Sequence, residues 1–336
     1  MIMKRGQILQ KYSKCLAWNR RKFMFNFWKF NEKPIMPSHP LNGLWNVKVD
    51  TNFDDKQVST FAYYRGDIHK LILSKEVVDS MEIDRLLEQG FIGKLENRIL
   101  EIINDMIYLT VPQLYHVLKC NGLSVGNEEL QCILSKLESK VFLKRLELTN
   151  GIAYQRQKRF DVYSLGQHGA GLLKAKGKKV QLQDYTSVIP TAEIKRILAT
   201  NHLMLAVMRK TKVSFEMQVH LFNRFINEDK VVYPQAIMKC NGQIYLVECV
   251  RRGEGWTKNF LEQAELYDGL LNHYEALNIY FSRKPNIIFL AENYKHMLLL
   301  KEMCDDCTNI PKIFTCDLAL EDNVDNAFYN NFLQKV

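Results

Sequence analysis

Lysine and arginine are concentrated between residues 136 and 179, a segment that contains eleven of them and only three acids. A second basic segment, residues 1–33, has nine lysines or arginines and one acid. Each segment carries a net charge of +8, whereas the whole chain of 336 residues carries +9. The rest of the chain is therefore net acidic. Because charge separated in this way attracts polyanions, both segments are candidates for phosphate binding. The alternative is a solvated basic face.

Three short helices are predicted before and at the start of the basic segment formed by residues 136–179. The stretch ENRILEIINDM, residues 96–106, puts its apolar side chains on one helical stripe. Thr110 is a candidate N-cap for a second helix, with Pro112 in the first turn. The turn CNGLSVG, residues 120–126, leads to a third helix that starts at Asn127.

Two alternating strands follow the third helix and flank Thr149-Asn150-Gly151. The Asn-Gly pair is typical of a two-residue hairpin turn. Three helices and a basic hairpin make a winged helix-turn-helix, which we predict for residues 92–183. In such a module the third helix enters the major groove of DNA and the hairpin follows the phosphates. Modules of this kind also dimerise or dock proteins, and that alternative stays open.

The third helix supplies the candidate base-reading residues Asn127, Gln131 and Ser135. The candidate phosphate contacts are the cations of the same region: Lys136, Lys140, Lys144, Arg145, Arg156, Lys158 and Arg159. The run GQHGAG, residues 166–171, has neither the spacing nor the context of a nucleotide-binding loop. We interpret it as the end of the hairpin and the start of a helix, although His168 within it is able to contact a phosphate.

The N-terminal third is harder to interpret. Residues 1–40 form a basic, aromatic arm that suits phosphates, a membrane surface or a poorly ordered tail. The pattern of residues 41–91 predicts a few short strands and then a helix from Asp79 to Gly90. We assign no role to this region.

The composition limits the class of protein. No stretch approaches the roughly 20 apolar residues of a membrane helix, and no secretion signal is evident. Eight scattered cysteines favour free thiols in a reducing compartment, so we expect a cytoplasmic protein. The pair Cys304-Asp-Asp-Cys307 lacks a second pair of zinc ligands, and we predict no metal site there.

Residues 184–336 alternate between helices and strands, as in an α/β domain. A long helix is predicted for Thr191–Met208 and another from Trp256. The predicted strands are VSFEMQVHLF, VVYPQAIMKC, QIYLVECV, the segment Asn286–Leu290 and KIFTC. We therefore predict an α+β chain in which the winged helix-turn-helix precedes an α/β domain.

The unit YPQAIMKCNGQIYLVECVRRGEG, with Gln263 and Tyr267 on the following helix, resembles the core of the PD-(D/E)XK nuclease fold. Joined to the winged helix and to Asn201-His202-Leu203, it resembles the replication-relaxation proteins of bacterial plasmids and integrative elements. The resemblance covers about residues 92–290.

An active nuclease of this fold needs an Asp, a Glu and a Lys around Mg²⁺. The resemblance puts Gln235 at the Asp position, Glu248 at the Glu position and Val250 at the Lys position. Two of the three catalytic groups are therefore absent. The first expectation is a domain without activity or cofactor, in which Arg251 and Arg252 contact phosphates.

The resemblance implies a DNA-binding protein of a mobile element, active in replication, mobilisation or their regulation. Its partners would be double-stranded DNA and, from the resemblance alone, a relaxase or replication proteins. One alternative is an Mg²⁺-dependent endonuclease that uses Glu248, Glu254 and Gln263. Another is a protein-interaction module whose basic arm meets an acidic partner.

Overall fold

An antiparallel sheet and a group of helices form the first part of the structure. The structure is a computed structural model. It describes residues 59–63, 67–72, 80–149, 159–181, 189–217, 221–223, 230–272, 281–305, 312–322 and 327–328. The first elements are β1 (Ile68–Ile72), α1 (Ser80–Glu88), α2 (Lys94–Met106), β2 (Leu109–Thr110), α3 (Val111–Cys120), α4 (Asn127–Ser139), β3 (Leu143–Thr149), β4 (Arg159–Leu165) and α5 (Gln167–Ala175). Their strands pair antiparallel in the order β1-β3-β4-β2.

The three predicted helices are confirmed as α2, α3 and α4. Ile99, Leu100 and Ile103 of α2 are fully buried, as the apolar stripe predicts. Thr110 caps α3: its Oγ1 accepts a hydrogen bond from Gln113 N at 3.3 Å, and its own N donates to Gln113 Oε1 at 3.1 Å. This reciprocal pair is a capping box, and it satisfies two amides at the start of the helix.

The two strands of the predicted hairpin are also confirmed. They pair from Leu143 with Leu165 to Thr149 with Arg159. The turn at Asn150 and Gly151 lies outside the described residues. The sequence predicts several strands between residues 44 and 77. In the described part of that range the strand is β1, which pairs with β3 on the side opposite β4.

A mixed five-stranded sheet forms the second part. Its elements are α6 (Thr191–Met208), β5 (Val213–Met217), β6 (Leu221–Asn223), β7 (Lys230–Val232), β8 (Ala236–Cys240), β9 (Gln243–Cys249), α7 (Trp256–Asn272), β10 (Asn286–Ala291), α8 (Tyr294–Asp305), β11 (Lys312–Cys316) and α9 (Asp317–Asp322). The strand order is β11-β10-β9-β8-β5. Strands β5, β8 and β9 pair antiparallel, whereas β9, β10 and β11 run parallel.

Two of the predicted strands are divided in the structure. The stretch VSFEMQVHLF contributes β5 to the five-stranded sheet and β6 to a separate two-stranded sheet with β7. The stretch VVYPQAIMKC divides at Pro234 into β7 and β8. Because proline has no N–H to donate, it interrupts a strand ladder.

Helix α6 connects the two parts. It packs against α3 on one side and against β5 and β9 on the other. The Asn201 side chain donates to the carbonyls of Met106 at 2.9 Å and Tyr108 at 2.7 Å. Gln113 Nε2 donates to the Leu198 carbonyl at 2.7 Å. The Asn201-His202 stretch therefore has a structural role here, because Asn201 is fully buried and satisfies backbone groups.

Ser59, Ala62 and Asp67 are attached to the second part by buried charged and polar groups. Lys195 of α6 is fully buried, and its Nζ donates to Asp67 Oδ2 at 2.6 Å and to the Ala62 carbonyl at 2.7 Å. The Ser59 hydroxyl donates to Asp317. A buried ammonium must be paired to offset its desolvation, so these contacts hold the segment in place.

The described residues thus form a mixed α+β structure. None of the helices in the described ranges combines the length and apolar character needed to cross a membrane.

The glycines of the GQHGAG run allow α5 to approach the start of β3. A Cβ on Gly166 would lie 2.2 Å from the Val141 carbonyl oxygen, and one on Gly169 would lie 2.3 Å from the Phe142 carbonyl oxygen. His168 between them is fully buried, with Nδ1 2.7 Å from the Lys140 carbonyl oxygen. The glycines therefore allow the close packing of α5 against residues 141–142. Because His168 is fully buried, the predicted phosphate contact of this residue is wrong.

We expect Gly169→Ala to lower the free energy of unfolding by about 1–3 kcal/mol, the usual cost of overpacking. The matched control is Gly171→Ala on the same helix, where the nearest atom is the flexible tip of Ile83 at 3.0 Å. Urea unfolding measures both variants. Equal effects of the two substitutions would contradict the close approach of α5 to residues 141–142.

Candidate nucleic-acid interface and carboxylate centre

Helix α4 exposes a row of polar side chains opposite its buried leucines. Asn127, Gln131 and Ser135 are exposed, whereas Leu130 and Leu134 are fully buried. Residues four apart share one face of a helix, so two amides and a hydroxyl follow one another along α4. The predicted exposure of these three residues is confirmed. Their role in reading bases stays a prediction.

Two predicted phosphate contacts at the end of α4 pair with acids of other helices. Lys136 Nζ lies 2.7 Å from Glu96 Oε1 and 4.8 Å from the centre of the Phe91 ring. Lys140 Nζ lies 3.7 Å from Glu82 Oε1. Both acids precede the basic segment in the sequence. The segment is therefore less positive in the structure than its own composition indicates.

Cations of the hairpin also pair with acids. Arg145 lies 3.2 Å from Glu138 Oε1 and 3.6 Å from Asp161 Oδ2. Arg159, with 63% of its side chain exposed, lies 3.6 Å from Glu147 Oε1. Because exposed pairs contribute at most about 1 kcal/mol, a phosphate is able to displace the acid partner. The other predicted hairpin contacts are Lys144, which is half-buried on β3, and Arg156 and Lys158, which lie outside the described residues.

A groove between α3 and α4 adjoins the polar row. Tyr115 and His116 of α3 line it together with Asn127 and Gln131 of α4. The two aromatic rings lie 6.0 Å apart, edge to face. The sequence pattern predicts His116 as a core or boundary residue and does not single out Tyr115. Their adjacency in a capped helix directly before the polar helix is the signal that would have found them.

The second part contains a buried carboxylate centre around Glu248 of β9. Arg196 Nη2 lies 2.9 Å from Glu248 Oε1, and the Tyr267 hydroxyl donates to Glu248 Oε2 at 3.0 Å. Arg196 Nη1 also lies 3.4 Å from Glu193 Oε2. Gln235 Nε2 donates to Glu193 Oε1 at 3.2 Å. One guanidinium thus bridges the two carboxylates, and an amide and a phenol complete the network.

Three elements position this centre. Glu193 and Arg196 lie one turn apart on α6, and Arg196 Nε donates to the Cys249 carbonyl of β9 at 3.0 Å. Gln235 directly precedes β8, and its N donates to the Val247 carbonyl at 2.8 Å. The antiparallel pairing of β8 with β9 therefore brings position 235 to the end of β9 that carries Glu248.

Burial controls the charges of the centre. It raises the pKa of Glu248, and the Arg196 guanidinium opposes that rise. Burial also raises the pKa of Tyr267, and the neighbouring Glu248 carboxylate raises it further, which keeps the phenol protonated as a donor. The adjacent carboxylates raise the pKa of Arg196 against the effect of burial, so the guanidinium stays charged.

The centre does not fit a divalent cation. A Mg²⁺ site needs oxygen ligands with negative charge, and here the charge of both carboxylates is directed to Arg196. Gln235 presents its amide NH₂ to Glu193, and buried Val250 has no polar side chain. In the described ranges, no three or more His, Cys, Asp or Glu side chains are grouped so as to hold a metal ion.

The other predicted catalytic residues are not among the hydrogen-bond partners of Glu248 in the described structure. Glu254 is exposed in the turn before α7, and Gln263 is half-buried one turn before Tyr267 on α7. The Glu248 oxygens contact Arg196 and Tyr267 instead.

Arg251 and Arg252 do not form the exposed phosphate-binding pair that the sequence predicts. Arg251 is buried, and its Nη2 lies 2.9 and 3.0 Å from the two oxygens of Asp317. Arg252 Nε lies 2.7 Å from Glu292 Oε2, and Glu292 is buried as well. Both acids follow later strands of the parallel sheet, so the prediction failed because it considered the arginines without these partners.

No protein-family model matches the chain, and no curated protein matches it. Among solved structures, it aligns with protein VC1899 from Vibrio cholerae at 11% identity and a TM-score of 0.26, over 76% of this chain and 56% of that one. It also aligns with the restriction endonuclease FokI at 16% identity and a TM-score of 0.25, over 66% of this chain and 41% of that one. The chain spans about half the length of these proteins. Both TM-scores are below 0.5, so neither alignment informs on function.

Removing the guanidinium is expected to leave the Glu248 carboxylate buried without a counter-charge. Arg196→Met should lower the free energy of unfolding at pH 7 by about 3 kcal/mol. Adding Glu248→Gln should recover part of that loss, because the stranded charge is gone. The matched control is Arg98→Met, which removes an exposed pair with Glu101 at 3.1 Å and should cost less than about 1 kcal/mol. No recovery in the double variant would contradict the ion pair.

The same variants should differ in their pH dependence. Without Arg196 the pKa of Glu248 rises further, so folded Arg196→Met holds a proton that the unfolded chain releases at about pH 4.3. Its stability should therefore increase as the pH falls from 7 to 5, measured against the Arg196→Met/Glu248→Gln variant. Parallel curves for the two variants would show that Glu248 stays ionised without Arg196.

Proposed function

We propose that this protein binds double-stranded DNA through a winged helix formed by α2, β2, α3, α4, β3 and β4. The observation that carries the proposal is the exposed row of Asn127, Gln131 and Ser135 on α4, directly before the β3–β4 hairpin. Asparagine and glutamine amides pair with adenine edges in the major groove, where a third helix of this kind inserts.

The order of the elements supports the winged-helix assignment. A short strand, β2, lies between the first two helices and pairs with β4, so the hairpin and β2 form one sheet beside the helices. This is the arrangement expected when the hairpin serves as a wing. Arg145 and Arg159 on the hairpin strands are then close enough to phosphates to exchange their acid partners for them.

We further propose that the second part is a PD-(D/E)XK-like domain without nuclease activity. Helix α6, the antiparallel strands β5, β8 and β9, helix α7 and the parallel strand β10 follow one another in the order of that fold. Glu248 lies on the third strand, as in the nuclease pattern. Arg196 bridges Glu193 and Glu248 where a catalytic cation would have to bind, which supports a role in holding DNA or a partner.

The biological setting rests on the resemblance to replication-relaxation proteins. On that basis we propose a role in the replication or mobilisation of a plasmid or integrative element, with a relaxase or a replication protein as a partner. The alternatives are a metal-dependent endonuclease and a protein-interaction module, and they are separated by the measurements that follow.

Removing the α4 amides should weaken recognition of a preferred sequence. The test duplex is selected from a random-sequence library with the wild-type protein. Asn127→Ala/Gln131→Ala should lower the affinity for it by about thirty-fold or more, since each of the two base-edge contacts contributes about 1–3 kcal/mol, without changing the salt dependence. The control Asn259→Ala/Asn272→Ala removes two exposed amides of α7 and should have no effect. Equal affinities of both double variants would contradict base reading by α4.

The wild-type protein should leave single- and double-stranded DNA intact in Mg²⁺ or Mn²⁺, because the carboxylates are engaged by Arg196. A cleavage gel over several hours measures this. Metal-dependent nicking that disappears in Glu248→Ala would establish the endonuclease alternative instead. Nicking that persists in that variant would indicate a contaminating nuclease.

A further inference from the structure

A cluster of exposed cations lies where α3 and α6 end. Lys119 is exposed at the end of α3, and Arg209 and Lys212 are exposed in the segment that follows α6. Helices α3 and α6 pack against each other. Burial lowers the pKa of His116, one turn before Lys119, and the positive charges of Arg209 and Lys119 lower it further. The two helix ends are therefore close together.

The cluster continues onto the five-stranded sheet. The Thr211 hydroxyl and Asn241 Oδ1 lie 2.9 Å apart, which joins the segment after α6 to the turn between β8 and β9. A Cβ on Gly242 would lie 4.0 Å from Arg283 Nη1, so the exposed Arg283 lies beside the same turn. We call Lys119, Arg209, Lys212 and Arg283 the basic ridge.

The basic ridge differs from the hairpin cations in its pairing. Within the described residues, none of its four members forms an ion pair with an acid, whereas Lys136, Arg145 and Arg159 all do. Favourable interaction with the negative end of a helix explains why Lys119 and Arg209 are accommodated there without an acid partner. It does not account for Lys212 or Arg283, which lie outside helices. Unbalanced positive charge on this scale fits a polyanion.

The ridge begins beside the helix that carries the candidate base readers. His116 lines the groove between α3 and α4, together with Asn127 and Gln131. His116 thus lines the same groove as the polar row of α4 and lies one turn before Lys119 on α3. A duplex read by α4 has its phosphates on either side of that helix.

We propose that the basic ridge binds the phosphate backbone of the DNA that flanks the sequence read by α4. This inference rests on the proposed function, and it adds a surface that the charge pattern of residues 136–179 does not contain. It also gives the five-stranded sheet a share in DNA binding through Arg283 and the turn between β8 and β9. DNA is favoured over an acidic protein because His116, one turn before Lys119, lines the same groove as the candidate base readers Asn127 and Gln131.

The test is a charge-reversal variant, Lys119→Glu/Arg209→Glu/Lys212→Glu. Its matched control, Lys70→Glu/Lys258→Glu/Lys295→Glu, makes the same change in net charge at exposed positions on β1, α7 and α8. Both are compared with the wild type on a long duplex of roughly 30 base pairs and a short one of roughly 12, each containing the selected sequence, at several salt concentrations. A duplex of two helical turns or more extends beyond the sequence read by α4, so its flanking phosphates are available to the ridge.

The ridge variant should bind the long duplex at least ten-fold more weakly than the control variant does. Its slope of log affinity against log salt should fall by about two to three, since each lost phosphate contact contributes about 0.9. The short duplex should show a smaller difference. Urea unfolding should give similar midpoints for all three proteins, because the replaced side chains are exposed.

Equal binding of the long duplex by the ridge and control variants would overturn the ridge while leaving the proposed function standing. If the wild type binds no duplex even at low salt, the proposed function fails, and the ridge proposal fails with it. If the wild type binds no duplex but does bind an acidic protein or an anionic vesicle, the ridge is assigned to that partner instead of DNA.

Discussion

The Arg196 guanidinium holds α6, β9 and, through Glu248 and Tyr267, α7 around one buried negative charge. Burial alone would favour the protonated, neutral form of Glu248, and the guanidinium offsets that cost. The same group contacts Glu193, whose carboxylate also accepts from Gln235 next to β8. The packing of the five-stranded sheet against α6 and α7 therefore depends on a charge network centred on Arg196.

Helix α6 extends this constraint to the rest of the molecule. Lys195, next to Arg196, is fully buried against Asp67 and the Ala62 carbonyl, so adjacent residues of one helix hold the N-terminal segment and the sheet. Further along α6, Asn201 binds the chain between α2 and β2. Helix α6 is thus joined by hydrogen bonds both to the first part of the structure and to the five-stranded sheet.

Local patterns of the sequence predicted much of the fold. The stripe of α2, the Thr110 cap and the alternation of β3 and β4 depend on residues close in sequence, and the structure confirms them. Glu248 was found from its strand motif. Arg196 was missed because it lies 52 residues before Glu248. The partners of Arg251 and Arg252, Asp317 and Glu292, lie 66 and 40 residues away, directly after other strands, and only the sheet topology brings them together.

Equilibrium binding of the wild-type protein to a fluorescent duplex, measured across a salt series with and without Mg²⁺, tests the central claim most directly. We predict measurable affinity at low salt, a steep and linear fall of log affinity with log salt, and no requirement for Mg²⁺. The first two follow from phosphate contacts, and the third follows from a carboxylate centre already neutralised by Arg196. Absence of binding at low salt, or binding that requires Mg²⁺, would contradict it.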